Sequence, residues 1–470
     1  MPTDPREPML PSSRTSQPAG VNVIGHITAN LGLGVLARAL VRLLAHNGVP
    51  VAALDIDAGH GRSGADRSLS QYLVPAAAAL PHPINLFVLP APSLHHVLPR
   101  LEAVALAEGR INAALPMWEL PAMPPHWHRI LELFDAIVAG SPFIRATHEN
   151  ALSTVFTVPA EIPLFLPAGI APARDRFGPQ AADRVVFLTA FEPYSDVARK
   201  NPLGAIRAFR QVAARNPNVH LVVKMNNAPA DWETDPVLRR LAEASAGCDA
   251  IDLLTDPFSY EEALGLYAAA DVIVSLHRAE GIGFLPMEAM ALGKPVIATG
   301  WSGNMAYMRH GVACLVDYRL VPLDAPGGIY EYLLAGEPAT WAEPNVETAA
   351  AWMYKLAEDP ALRQSIGEAA RAHIAAFQER ALHAGFVDEL REIHAHRHWL
   401  CKTTDEKRER LRQIAEMPLS PPPGSRSPAA RILELKQAVA DRDAQLREIR
   451  GSTSWRVTAP LRRLVTLVRR

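Results

Sequence analysis

Residues 272–298 read VIVSLHRAEGIGFLPMEAMALGKPVIA. Val272–Leu276 is a short apolar run that ends at His277 and Arg278, which predicts a strand buried on both faces. Glu280 follows, then a G-x-G turn from Gly281 to Gly283. Pro286 suits a first helical turn, so a helix is expected over Pro286–Leu292, with Glu288 in its first turns. Pro295–Ala298 is a second buried strand. Strand, glycine turn, helix and strand make a βαβ unit, and that unit implies a parallel sheet.

The same alternation extends both ways. Upstream lie strand candidates Val185–Phe191, Val219–Met225 and Ile251–Leu254, and downstream Cys314–Val316; helices are expected over Pro202–Ala214, Asp235–Ala246 and Tyr260–Ala270. The first half repeats the pattern with strands at Val21–Ile27, Val51–Ile56, Ile84–Leu89, Ile111–Met117, Asp135–Ala139 and Thr154–Val158. A helix over Val35–Ala45 has Gly48 as its stop. The fold class is α/β: two Rossmann-like doubly wound domains, residues 21–180 and 181–395, facing a central cleft, with helices from 346 closing the second. Ligands of such folds bind beyond the carboxyl ends of the strands. Residues 1–20 read as disordered, 396–428 as a helix and Pro-rich linker, and 429–470 as a helical tail.

Composition narrows the function. The 470 residues carry 47 Lys plus Arg against 49 Asp plus Glu, a net charge of -2. A nucleic-acid-binding chain would be strongly basic. Cys248, Cys314 and Cys401 are far apart in the sequence, so neither a disulfide framework nor a zinc cluster is expected, and a cytosolic compartment fits. No signal peptide and no apolar run long enough to span a membrane is read.

Three segments carry the chemistry. In the opening segment, Gly281, Ile282, Gly283 and Phe284 offer backbone N–H groups and a helix N-terminus to an anion. Glu280 and Glu288, eight positions apart, can contact two parts of one elongated ligand, and carboxylates accept pairs of hydroxyl hydrogen bonds. In FEPYSDVARKNP, residues 191–202, Arg199 and Lys200 stand beside a helix start, where two cations can converge on a diphosphate. Lys224 is a third candidate cation. His277, at the end of its strand, is a candidate to line the cleft.

The E-x(7)-E pattern in EGIGFLPMEAMALGKPVIA resembles the signature of glycosyltransferase family 4, whose members have the GT-B fold and transfer sugars from nucleotide donors. SDVARKNPLGAIRAF resembles that family's phosphate-binding segment, with Lys200 at its lysine; five positions earlier, where the family often has Arg, stands Ser195, and Arg199 is the substitute. The resemblance covers roughly residues 21–395 and implies roles. Glu288 holds the ribose hydroxyls, Glu280 contacts the transferred sugar, amides around Gly281–Phe284 touch sugar and phosphate, and Lys200 with Arg199 neutralises the leaving diphosphate. It implies retention of configuration and no metal or other cofactor. The family's first-domain His is expected near PMWEL, where Glu119 either takes a polar substrate role or caps the next element.

A rival reading rests on Gly32, Gly34 and Ala37, a G-x-G-x-x-A pattern with Asp55 or Asp57 about 20 residues on, which suggests a nicotinamide cofactor. Against it, Thr28–Leu31 separate the strand end from Gly32; in GT-B transferases glycines here let the backbone approach the donor. The expected activity is transfer of a hexosyl unit from a UDP- or GDP-sugar to a glycan hydroxyl in bacterial surface polysaccharide synthesis. Its alternatives are a GT-B epimerase or phosphorylase, and a non-catalytic scaffold. In the tail, residues 429–450 show about three heptads, suited to self-association. Residues 451–470 contain GSTSWRVTAPLRRL, which resembles a stretch found on bacterial surface-polysaccharide glycosyltransferases and associated proteins. Its basic, amphipathic character suits either peripheral contact with the inner membrane face, at a lipid-linked glycan, or docking.

Overall fold

A computed structural model describes residues 19–56, 66–105, 107, 109–151, 156–229, 232–324, 329–334, 337–383, 385–397 and 401–416. The expected tail (429–470), the Pro-rich stretch before it and nearly all of the leading segment lie outside these residues. No helix among the described residues is long and apolar enough to cross a membrane.

The first domain is a six-stranded sheet of β1 (Val21–Gly25), β2 (Val51–Asp55), β3 (Ile84–Val88), β4 (Ile111–Leu115), β5 (Ala136–Ala139) and β6 (Phe156–Pro159). Its order is β2-β1-β3-β4-β5-β6, and every pairing is parallel. β1, β3 and β4 are buried at every position, as apolar runs without alternation require. Inside this sheet runs a polar ladder. Asn22, Asn85 and Asn112 are register partners on adjacent strands. Asn22 Nδ2 donates to Asn85 Oδ1 and Asn85 Nδ2 to Asn112 Oδ1, each at 2.9 Å. Each buried amide thus satisfies the next, which removes the penalty of burying it alone.

The second domain has β7 (Val185–Phe191), β8 (Val219–Met225), β9 (Ile251–Leu254), β10 (Val272–Ser275), β11 (Val296–Thr299) and β12 (Cys314–Val316). They are ordered β12-β11-β10-β7-β8-β9, again all parallel. The order reverses between β7 and β10. A doubly wound sheet opens a crevice at such a switch point, and the loops leaving β7 and β10 carry Arg199, Lys200, Glu280 and Gly281–Gly283.

Two features were not expected. A hairpin of β13 (Tyr318–Pro322) and β14 (Thr340–Pro344) follows β12 and carries a helix, Ile329–Leu334. Tyr330, Leu333, Leu334 and Trp341 pack with Trp118, Leu120, Met123 and Trp127 of the first domain, and Trp127 Nε1 donates to Leu333 O at 2.9 Å. Second, the chain crosses back. The helix Pro360–His383 leaves the second domain and reaches the first, where Asn47 Nδ2 donates to Leu382 O at 3.1 Å. The helix Thr404–Glu416 also packs on the first domain, with buried Lys407 donating to Arg110 O at 2.8 Å.

Two helices begin earlier than their sequence suggests. The one after β10 spans Phe284–Ala291, because Gly283 takes φ +87° and serves as its N-cap. The one after β1 spans Gly32–His46. Its Leu36, Leu40, Val41 and Leu44 are fully buried, each worth about 1.5–3 kcal/mol relative to exposure.

Candidate functional site

The loop after β7 turns twice with left-handed backbone. Asp196 (φ +74°) caps the one-turn helix Val197–Lys200 by accepting from Arg199 N at 2.8 Å. Asn201 (φ +52°) caps the next helix, Pro202–Ala213. Asn201 Nδ2 donates to Leu276 O at 2.9 Å and Arg278 N to Arg199 O at 2.7 Å, stitching this loop to the one after β10.

That stitching brings Glu280 onto two cations. Lys200 Nζ donates to Glu280 Oε1 at 2.5 Å and Arg199 Nη1 to Oε2 at 3.3 Å. Burial alone would push the Glu280 carboxyl up; Lys200 and Arg199 overcome it and hold the group at about 2. The cations are not equivalent. Arg199 is buried, and its guanidinium also donates to Ser195 O at 2.8 Å and Ala279 O at 2.9 Å and stands 3.8 Å from Glu119 Oε1. It serves as a structural tie, which corrects its reading as a cation presented to a diphosphate. The Lys200 side chain keeps about a quarter of its surface, 24%.

The turn behind Glu280 is crowded. A Cβ at Gly283 would stand 3.0 Å from Tyr307 Oη, at a backbone angle side chains avoid, and one at Gly303 would fall 1.8 Å from Gly281 O. Tyr307 donates to Gly283 O, and Glu280 N donates to Ser302 Oγ at 2.9 Å. Ser141 of the first domain donates to Gly281 O at 2.7 Å, and Ile282 lies against Gly140. His277, expected to line the cleft, is instead fully buried behind this turn. Its Nε2 faces Trp301 O (3.3 Å) and Asn304 Oδ1 (3.1 Å), so that nitrogen carries the proton and Nδ1 accepts from Ser275 Oγ at 3.0 Å. Burial lowers the pKa of this imidazole.

Glu288 sits on the helix after the turn, buried, and accepts from Tyr260 Oη at 2.8 Å. Burial pushes its carboxyl up to about 7; Tyr260 and Arg38 oppose this only in part. The two glutamates are therefore held in opposite senses, one ionised by its partners and one near half-protonation at neutral pH. Such divergence is common at functional sites.

The remaining candidates separate. Lys224, read as a third cation, donates to Met225 O (2.6 Å) and Asp256 O (2.8 Å) and lies 4.9 Å from the Phe258 ring centre. It holds the loop after β9 and is not grouped with Lys200; burial lowers its amine to about 8. Gly34 is needed for space, since a Cβ would meet Ala29 O at 2.1 Å, whereas Gly32 is exposed with nothing within 4 Å. Gly32 is also the first residue of its helix, six residues of loop after β1, so these glycines do not form the tight strand-to-helix turn of a dinucleotide site. Asp55 accepts from Thr28. Glu119 accepts from Tyr330 Oη at 2.7 Å in addition to facing Arg199, and the N-cap of the following helix is Pro124.

Residues 194–319 match the family model described as glycosyl transferases group 1. The chain carries a group 1 glycosyltransferase domain. Among curated relatives, D-inositol 3-phosphate glycosyltransferase from Mycolicibacterium gilvum is 29% identical over 213 residues, 45% of this chain and 46% of the relative. The chain thus spans about half the length of the curated relatives it matches. Two solved structures share its architecture. Sucrose-phosphate synthase from Thermosynechococcus elongatus has a TM-score of 0.56 at 16% identity, covering 80% of this chain and 99% of that one. The Anabaena protein HepE, solved with UDP and glucose, has a TM-score of 0.50 at 16% identity, covering 77% and 98%. At such identity the likeness concerns the fold, which is GT-B.

The group 1 domain contains Arg199, Lys200, Lys224, His277, Glu280 and Glu288, whereas Gly32, Gly34 and Glu119 belong to the other half of the chain. Sequence reasoning missed Tyr260 and Ser302 around the domain's carboxylates, and Tyr330, which donates to Glu119 of the first domain. For Tyr260 a local signal existed: Ser259 and Glu262 form a capping box, which places Tyr260 first on a helix whose N-terminus faces the strand ends.

Proposed function

We propose that the chain is a retaining glycosyltransferase of family 4 that moves a hexosyl unit from a UDP- or GDP-sugar to a hydroxyl of a glycan. The observation that carries this reading is the buried Glu280 carboxylate paired with a partly open Lys200 at the switch point, with Glu288 one helix further on. The nucleoside diphosphate lies with its ribose hydroxyls on Glu288 and its phosphates toward Lys200. The bond from the anomeric carbon to the phosphate oxygen breaks, and the acceptor oxygen bonds to that carbon on the same face. The acceptor proton passes to the departing diphosphate. Negative charge grows on the diphosphate, and Lys200 moves from Glu280 to meet it. Glu280 then faces the sugar hydroxyls, held in place by Arg199. In this reading Lys200 takes the role that a metal ion has in other transferases. The acceptor is a growing surface polysaccharide at the inner membrane face, a reading supported by the sequence of residues 451–470 alone.

The first experiment is a thermal-shift screen with UDP, GDP, ADP, their sugar conjugates and NAD(P)H, in EDTA. A ligand at 100-fold its Kd raises stability by about 2.7 kcal/mol. A shift with one nucleoside diphosphate family is the expected result and names the base. A shift with a nicotinamide alone, or with none of these ligands, would overturn the reading.

A pH dependence follows from Glu288. Its protonated form accepts poorly from the two ribose hydroxyls, and its midpoint is about 7. Nucleotide affinity is therefore expected to rise through about pH 7 and level off above it. Calorimetric titrations should show that rise beyond the slope seen with ribose-free inorganic pyrophosphate. Equal slopes would remove Glu288 from the ribose site.

A further inference from the structure

The helix Gly32–His46 of the first domain buries an arginine among its apolar residues. Arg38 is 1% exposed, flanked by Ala37 and Ala39 with Leu36 and Leu40 beyond them. Its Nη1 donates to Ile27 O and Ala29 O, both at 3.0 Å, and its Nε pairs with Asp66 Oδ2 at 3.0 Å. Those contacts fasten the guanidinium beneath the loop after β1. Its remaining nitrogen, Nη2, is buried with no hydrogen-bond partner among the described residues. The guanidinium carbon lies 5.9 Å from the centre of the Tyr260 ring, which belongs to the second domain. Tyr260 in turn donates to Glu288. The same junction is closed by Asn30 Nδ2 donating to Phe258 O at 2.7 Å and Asn227 Nδ2 to Asn30 O at 3.3 Å.

The order Asp66, Arg38, Tyr260, Glu288 therefore crosses from one domain to the other and ends on the carboxylate read above as the ribose acceptor. We propose that Arg38 and Tyr260 are positioning residues that hold Glu288 for the nucleotide ribose across the domain junction. The inference rests on the transferase reading and extends it. Tyr260 fixes one carboxylate oxygen by its hydroxyl, which orients the group. Arg38 fixes Tyr260 by covering its ring, and it brings a positive charge toward a carboxylate that burial would otherwise neutralise. Nucleotide binding and the fit of the two domains at this edge then depend on the same four side chains.

The test compares two ligands on the intact chain: the nucleoside diphosphate among UDP, GDP and ADP that binds the wild type best, and its 2′,3′-dideoxy analogue. The wild type should prefer the ribose form by about tenfold or more, since two hydroxyl hydrogen bonds are lost in the analogue. Tyr260→Phe and Arg38→Met should bring that preference close to one, and Arg38→Lys, which keeps a cation, should restore part of it. A purely structural role would weaken both ligands alike and leave the preference intact; that outcome overturns the inference while the transferase reading stands. If the wild type binds none of the three nucleotides, the transferase reading falls and takes the inference with it. Should Arg38→Met not fold, Tyr260→Phe, which removes one oxygen from a ring that keeps its shape, gives the decision.

Discussion

Lys200→Ala is expected to lower kcat for sugar transfer by about 100- to 1000-fold, the loss seen when one preorganised donor to a developing anion is removed. The effect falls on kcat more than on KM, because the charge that Lys200 meets is largest in the transition state. Folding should be little changed. The ammonium is partly exposed, and Glu280 retains Arg199 at 3.3 Å, so the carboxylate is not left buried without a partner. Lys200→Arg should recover only part of the rate: a broad planar guanidinium cannot place its charge where the compact ammonium does. Steady-state rates with a matched melting midpoint check this. A kcat within about threefold of wild type would remove Lys200 from the reaction.

Glu288→Gln is expected to change affinity and stability in opposite directions. Binding of the nucleoside diphosphate should weaken about 100-fold, since two charge-assisted hydrogen bonds to the ribose become neutral and one of them faces the wrong amide atom. The free protein should gain stability above neutral pH. A carboxyl whose folded pKa lies above its unfolded value binds its proton more tightly when folded. It favours the fold at low pH and disfavours it progressively as pH rises from about 4.5 through about 7. Glutamine removes that loss and keeps an acceptor for Tyr260. The melting midpoint of the variant should therefore exceed wild type at about pH 8 and show no such gain at about pH 5. A variant less stable than wild type at both pH values would mean that the ionised carboxylate holds the fold together and is not strained by burial.

Much of this site is legible in residues close together in sequence. β7, β8, β9 and β12 have the bounds that the sequence predicts; for β8, buried at every position, burial on both faces leaves no ambiguity of period, whereas β9 lies at the sheet edge with Asp252 exposed. Glu280 and Glu288 stand out as candidates because one turn and one helix carry both, and the resemblance to glycosyltransferase family 4 supplies their expected roles. Lys200 and Arg199 are also visible, but not the difference between them. On a one-turn helix, neighbours point about 100° apart, and the inward one is decided by Asp196 and Asn201, whose positive φ angles the sequence does not announce. The second layer is made of long-range pairs. Tyr260 meets Glu288 from 28 positions away and Tyr330 meets Glu119 from 211. The hairpin that carries Tyr330 has no strong strand signal, since Tyr318–Pro322 is mostly exposed and ends in proline.

The two domains are joined by two crossings of the chain, and the crossings are fastened to each other. The connection after β6 passes Leu164, whose N–H donates to Gln378 Oε1 at 2.7 Å on the returning helix. That helix has 24 residues, about 36 Å of continuous rod. Its Gly367 packs directly on Gly293 of the second domain, and its Leu382 accepts from Asn47 of the first. Mechanically this is a door hung on two pins that share one axle. Fastened so, the halves are expected to swing about that rod more readily than they slide past each other. The Arg38–Tyr260 and Glu119–Tyr330 contacts both join one half to the other, so a molecule wedged at one of them is expected to change the gap at the other.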